Sequence, residues 1–158
     1  MQLIGFKNQK IVNLDNVSNI YVDEQGKKVI FNMNYSVKIF GSKNSINSYD
    51  KINKVTPDYV YWSFDSMQEF MKIVDLIINK TKNWIQPEEP GQRILNPDFI
   101  ASITFDEDKN RVIFNLNYNI THPKDDNKLT SDFVFYDFVS KDSFNAFFNK
   151  IKTNVTYL

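Results

Sequence analysis

The chain of 158 residues has no cysteine, a single histidine, four glycines and no net charge. Without cysteine there is neither a disulfide nor a thiolate metal site. The lone histidine, His122, sits beside Pro123 in a stretch read as a loop, where it is an ordinary surface residue. The glycines are scattered, so no glycine-rich loop cradles a phosphate, and no His/Asp/Glu set has metal-ligand spacing. Nineteen basic residues cancel nineteen acidic ones. That balance argues against a generic polyanion binder, which is normally basic, unless the charges segregate onto different faces. No run reaches the roughly 18 apolar residues that would span a membrane. The segment Met1–Lys7 lacks a signal-peptide core, so the expected setting is the cytoplasm, with no membrane partner. No cofactor is expected.

What the chain does have is aromatic residues, 15% of the total with 14 phenylalanines, and one message written twice. Residues 13–37 and 96–120 align without a gap. Eleven of the 25 positions are identical: Asn13/Asn96, Asp15/Asp98, Ile20/Ile103, Asp23/Asp106, Glu24/Glu107, Val29/Val112, Ile30/Ile113, Phe31/Phe114, Asn32/Asn115, Asn34/Asn117 and Tyr35/Tyr118. A second block follows, Asp58–Phe64 against Asp132–Phe138. Two copies of one supersecondary unit are expected to pack as a pseudo-dimer. Each copy has about 75 residues. A unit that small buries only about 60% of its unfolded surface, against about 68–70% for the whole chain, so one shared core is expected. The chain thus reads as a single domain, 1–158, made of repeats 11–82 and 94–155. Between them, residues 83–93 form a linker that carries Pro87, Pro90 and Gly91.

Ile11 and Val12 form a short apolar lead-in, followed by a turn at 13–16 where Asp15 and Asn16 bond their own backbone. A strand is expected over 17–23 and a hairpin connection at 23–27, matched by 106–110. From Lys28 to Phe40 the apolar residues Val29, Phe31, Met33, Tyr35, Val37 and Ile39 alternate with polar ones, the mark of a half-buried antiparallel strand. Residues 41–57 read as a polar loop, as do the shorter 122–131. Third strands follow at 58–64 and 132–138. Then come helices, the first opened by the capping pattern Ser66-Met-Gln-Glu69 and striped by Phe70, Ile73, Val74 and Ile77. The second is capped by Ser140 and striped by Phe144, Phe147, Phe148, Ile151 and Val155. Each copy is therefore strand–strand–strand–helix with an extra short strand at its front. The fold class is α+β, with antiparallel sheets each covered by a C-terminal helix.

No catalytic set emerges, and the chain is read as a non-enzyme. The paired acids Asp23-Glu24 and Asp106-Glu107-Asp108 sit at hairpin ends beside Lys27, Lys28 and Arg111, where solvated turn charges explain them. The third strands carry aromatics on both faces. If a helix covers one face, Tyr59, Tyr61, Phe133 and Phe135 lie on the other. Neighbouring strands would add Lys28, Lys38, Arg111, Asn32, Asn34, Asn115 and Asn117. Aromatic rings interleaved with amide and basic groups make a stacking platform for single-stranded nucleic acid, worth roughly 1–3 kcal/mol per stacked base. Exposed apolar rings equally mark a packing surface, for self-association or a protein partner. Both readings stand at this point.

The order of elements and their duplication, over Ile11–Lys82 and Ile94–Val155, resemble the Whirly, Pur-alpha and positive-coactivator-four types of single-stranded nucleic-acid-binding protein. The resemblance implies two strand-rich units packed together, with sheets that bind single-stranded DNA or RNA. It assigns no residue a role.

Overall fold

The structure is a computed structural model. It describes residues 1–7, 9–42, 51–87, 91–122 and 124–153. In order these form β1 (Leu3–Ile4), β2 (Val12–Asn13), β3 (Val17–Asp23), β4 (Lys28–Ser42), β5 (Lys51–Ser63), α1 (Met67–Lys80), β6 (Ile94–Leu95), β7 (Ile100–Asp106), β8 (Arg111–His122), β9 (Asp125–Asp137) and α2 (Lys141–Lys152). All pairings are antiparallel. β1 pairs with β2, a second sheet runs β5-β4-β3-β6, and a third runs β7-β8-β9. The architecture is α+β, as the alternation and the helical stripes require.

Local chemistry accounts for the element ends. The Asn13 side chain accepts from the Asp15 amide at 3.2 Å and opens a 3-10 turn over Leu14–Asn16. Asn96 does the same for Pro97–Phe99, accepting from the Asp98 amide at 3.1 Å. The turn is thus built by the asparagine ahead of it, not by Asp15 and Asn16. The β3–β4 connection closes when Asp23 accepts from the Gly26 amide at 2.9 Å and Lys27 takes φ 48°. In the β7–β8 connection Asp106 accepts from the Lys109 amide at 3.3 Å, and Asn110 takes φ 48°. The Lys109 ammonium beside Asp106 holds that carboxyl below its ordinary range. These acids are turn-builders in solvent. Ser66 accepts from the Glu69 amide at 3.2 Å. Glu69 does not complete the expected capping box, because its carboxylate pairs with Lys7.

The second hairpin of each half is longer than the sequence indicates. Residues 41–42 and 51–57, read as loop, extend β4 and β5, with Val37 opposite Thr56 and Ser42 opposite Lys51. Residues 125–131 likewise belong to β9. Apolar residues are sparse in these extensions and do not alternate, so no period of two announces them. The ladder is broken between Asn32 and Ser36, and again between Asn115 and Asn119.

The core is divided. One cluster joins α1 to the inner face of the first large sheet through Val29, Phe31, Trp62, Phe70, Val74 and Ile77. The other joins α2 to the β7-β8-β9 sheet through Val112, Phe114, Tyr136, Phe144 and Phe147. The expectation of one shared core is corrected here: each helix closes its own sheet. The clusters meet at β6, where Ile94 enters the first and Leu95 the second, because adjacent strand residues point to opposite sides. The linker is not a spacer either. Ile85 exchanges two backbone bonds of 2.9 Å with Leu95, and Trp84 packs on the first cluster. β4 and β5 run against β8, and β5 against β9. Ser18, fully buried, lies 3.4 Å from the Tyr118 hydroxyl, which donates to Asp132 at 2.7 Å. Burial pushes the Tyr118 phenol well above its ordinary range. No helix among the described residues is long and apolar enough to cross a membrane. Val155 lies outside the described residues.

Candidate functional site

The face of each sheet turned away from its helix is a panel of three cross-strand rows. In the first, the rows are Asp23–Lys28–Ser63, Tyr21–Ile30–Tyr61 and Asn19–Asn32–Tyr59. In the second they are Asp106–Arg111–Asp137, Thr104–Ile113–Phe135 and Ser102–Asn115–Phe133. The period of two dictates this: Val29, Phe31 and Trp62 go to the core, so Lys28, Ile30, Tyr61 and their neighbours go the other way.

The rings are open. Tyr59 is 57% exposed and Tyr61 51%, Phe133 is 42% and Phe135 43%. Tyr59 and Tyr61 have centroids 6.5 Å apart, and Phe133 and Phe135 are stacked at 6.3 Å. Each panel sets a cation over a ring. Lys28 Nζ lies 5.7 Å from the Tyr61 centroid, and the Arg111 guanidinium carbon 4.1 Å from that of Phe135. Such contacts are favourable by about 0.5–1 kcal/mol at exposed sites. Arg111 is also held by Asp137 through two parallel bonds of 2.5 and 2.9 Å, which keep its charge in place and raise its pKa.

The first panel is slightly concave, a hollow of about 440 Å³ lined by Tyr21, Lys28, Ile30, Asn32, Tyr59, Tyr61 and Arg93. Arg93 lies just ahead of β6. Its Nη1 donates to Asn19 Oδ1 at 2.9 Å, and its guanidinium carbon is 5.8 Å from the Tyr21 centroid. The same Asn19 oxygen accepts from Asn32 Nδ2 at 2.8 Å, so the amides are tied into the panel's floor. In the second panel Asn115 donates to Ser102 at 3.0 Å.

Of the residues expected from sequence, Tyr59, Tyr61, Lys28 and Asn32 come together on one panel, and Phe133, Phe135, Arg111 and Asn115 on the other. Asn34 and Asn117 fall within the broken stretches of the ladder, and neither is among the residues that line the hollow. The Lys38 side chain lies outside the described residues, and so does that of His122. Tyr21 and Arg93 were missed, as was Lys10, which lines a groove along β5 with Gln9, Tyr59, Tyr61 and Ser63. A matching groove along β9 holds Gln92, Arg93, Phe133, Phe135 and Asp137. A signal was present, because Gln9-Lys10-Ile11 and Gln92-Arg93-Ile94 carry the internal alignment further toward the N-terminus. The structure ties those segments down alike. Gln9 donates to the Ser63 carbonyl at 3.1 Å and Trp62 Nε1 to the Lys10 carbonyl at 2.8 Å. Gln92 donates to the Asp137 carbonyl at 2.8 Å, and the Tyr136 hydroxyl to that of Arg93.

The chain matches no family model, no curated protein and no solved structure. Among the described residues, no group of three acidic or histidine side chains is placed to hold a metal ion. The panels offer stacking surfaces and cations, while the amides of Asn19 and Asn32 are buried and bonded to one another.

Proposed function

We propose that this chain is a non-catalytic protein that binds single-stranded DNA or RNA through the helix-free faces of its sheets. One observation carries the reading. Exposed ring pairs at corresponding strand positions, Tyr59/Tyr61 and Phe133/Phe135, each lie beside a cation, on surfaces that no helix covers. Rings of this kind stack on any base, and the cations answer the backbone phosphates. The same proposal takes the chain as two tandem copies of one strand–strand–strand–helix unit with a lead-in strand, packed as an intramolecular pseudo-dimer and working in the cytoplasm. The like-placed hydrogen bonds at Gln9 and Gln92, Asn13 and Asn96, and Trp62 and Tyr136 support that view of the architecture. It keeps the resemblance to the Whirly, Pur-alpha and positive-coactivator-four proteins, which rests on element order and duplication.

A second reading makes the ring-bearing faces a protein interface, in self-association or with a partner. It is favoured by the second panel, where the rings are phenylalanines, Val139 nearby is 86% exposed, and Arg111 is already paired. Fluorescence anisotropy of labelled single-stranded oligonucleotides, at low and moderate salt, separates the two. Binding that weakens with salt, and that weakens in the Tyr59→Ala/Tyr61→Ala double variant, is expected. Absence of binding at low salt would refute the nucleic-acid reading and leave the interface.

A further inference from the structure

The two panels share a layout but not a charge. The first carries Lys28 and Arg93 against Asp23, two cations less one carboxylate, for a net of +1. The second carries Arg111, with the same Arg93 lining the groove beside Phe133 and Phe135, against Asp106 and Asp137, two cations less two carboxylates, for a net of zero. A single exchange makes much of the difference: Ser63 lies next to Lys28 where Asp137 lies next to Arg111. Asp137 both neutralises Arg111 and fixes its guanidinium over Phe135, on the ring face that a base would need. The rings differ too, since Tyr21 stands in the first panel where Thr104 stands in the second.

We infer that single-stranded nucleic acid is held on the first panel only. Bases stack on Tyr59, Tyr61 and Tyr21, while Lys28 and Arg93 meet the phosphates. The Arg111–Asp137 pair closes the second panel to it. This inference rests on the nucleic-acid reading above and adds to it a site. Arg93 acquires a particular role, because it comes from the second half of the chain and completes the face of the first. The backbone that carries it is anchored to β9 by Tyr136, and its side chain is aimed by Asn19. Neither half alone offers the whole site.

The test is a reciprocal exchange, read by anisotropy with fluorescein-labelled oligo(dT) at low salt. Ser63 is exposed and Asp137 half exposed, so both changes leave the cores alone. Ser63→Asp is expected to weaken binding by about fivefold or more, the lower end of what one stacked base contributes. Arg93→Ala is expected to weaken it and to flatten its salt dependence by about one phosphate contact, with Arg93→Lys recovering the slope. Phe133→Ala/Phe135→Ala is expected to leave affinity within about twofold in the wild-type background, and to cost more when Asp137→Ser has opened the second panel. The inference fails, and the general reading survives, if wild type binds but the phenylalanine pair matters as much as Tyr59 and Tyr61, or if Ser63→Asp changes nothing. If wild type does not bind at all, both fall.

Discussion

Asn13 and Asn96 occupy corresponding places, yet removing their side chains is expected to cost different amounts. Each caps a 3-10 turn by accepting from an amide two residues on, at 3.2 Å for Asn13 and 3.1 Å for Asn96. Loss of such a cap costs about 0.5–1 kcal/mol in a short, partly exposed turn. Asn96 is buried and does more, since its Nδ2 donates at 3.1 Å to the Val17 carbonyl. Alanine there deprives a buried carbonyl of that donor, at a further cost of about 1–3 kcal/mol. The totals are about 0.5–1 kcal/mol for Asn13→Ala and about 1.5–4 kcal/mol for Asn96→Ala. With a urea slope of about 2 kcal/mol per molar, the midpoints should differ by about 0.5–1.5 M. Far-UV circular dichroism and the fluorescence of Trp62 and Trp84 should follow the same transition. Asn96→Asp keeps an acceptor for the cap but sets a buried carboxylate oxygen against the Val17 carbonyl in place of the donor, so it should fall no closer to wild type than Asn96→Ala. Equal midpoints for the two alanine variants, or a larger loss at Asn13, would refute the reasoning.

Alkaline pH offers a second check. Burial raises the phenol pKa of Tyr118 and of Tyr136 in the folded protein above the ordinary value of 10.0. The neutral forms are therefore favoured by folding, so this stability is fully present below about pH 10 and is lost as pH rises through the folded values. At pH about 11, phenolate absorbance of the native protein should lag that of the urea-unfolded protein by at least two tyrosines; a titration that matches the unfolded one would contradict their burial. Phe147→Ala removes a ring that touches Phe114, Tyr136 and Phe138. It should cost about 3–5 kcal/mol in urea melts, and a loss below about 1 kcal/mol would mean that α2 is not seated as described. Asp137→Ser breaks a partly exposed ion pair and should change stability by no more than about 1 kcal/mol, so any change in its ligand binding is not an unfolding effect.

The sequence announces those elements whose signal is local. β3 and the alternating core of β4 follow from period two, and α1 from Ser66 and the Phe70–Val74–Ile77 stripe. The exposed ring pairs follow from parity once the helices claim the other faces. Three features are not local and stay hidden. β6 is two residues long, and its partners, Asn19 and Ile20 on one side and Ile85 on the other, are remote in sequence. The far ends of β4, β5 and β9 are held by backbone pairing, and the sparse apolar residues of 51–57 and 125–131 do not alternate, so composition does not mark them. Arg93 falls in a segment that prolines and a glycine disguise as linker. Its approach to Tyr21 depends on β6 docking against β3. The division of the core is legible only from side-chain direction at Ile94 and Leu95.

Ile94 and Leu95 impose an order on how the chain is made. During synthesis the first half emerges with α1 and its three long strands, yet the outer edge of β3 finds β6 only once residue 95 has left the ribosome. Until then Ser18, Asn19 and Ile20 present an uncovered edge, the kind of surface at which nascent chains stick to one another. That short strand would also let separately produced halves, cut within the linker, find each other again, since β6 belongs to the second half and covers an edge of the first.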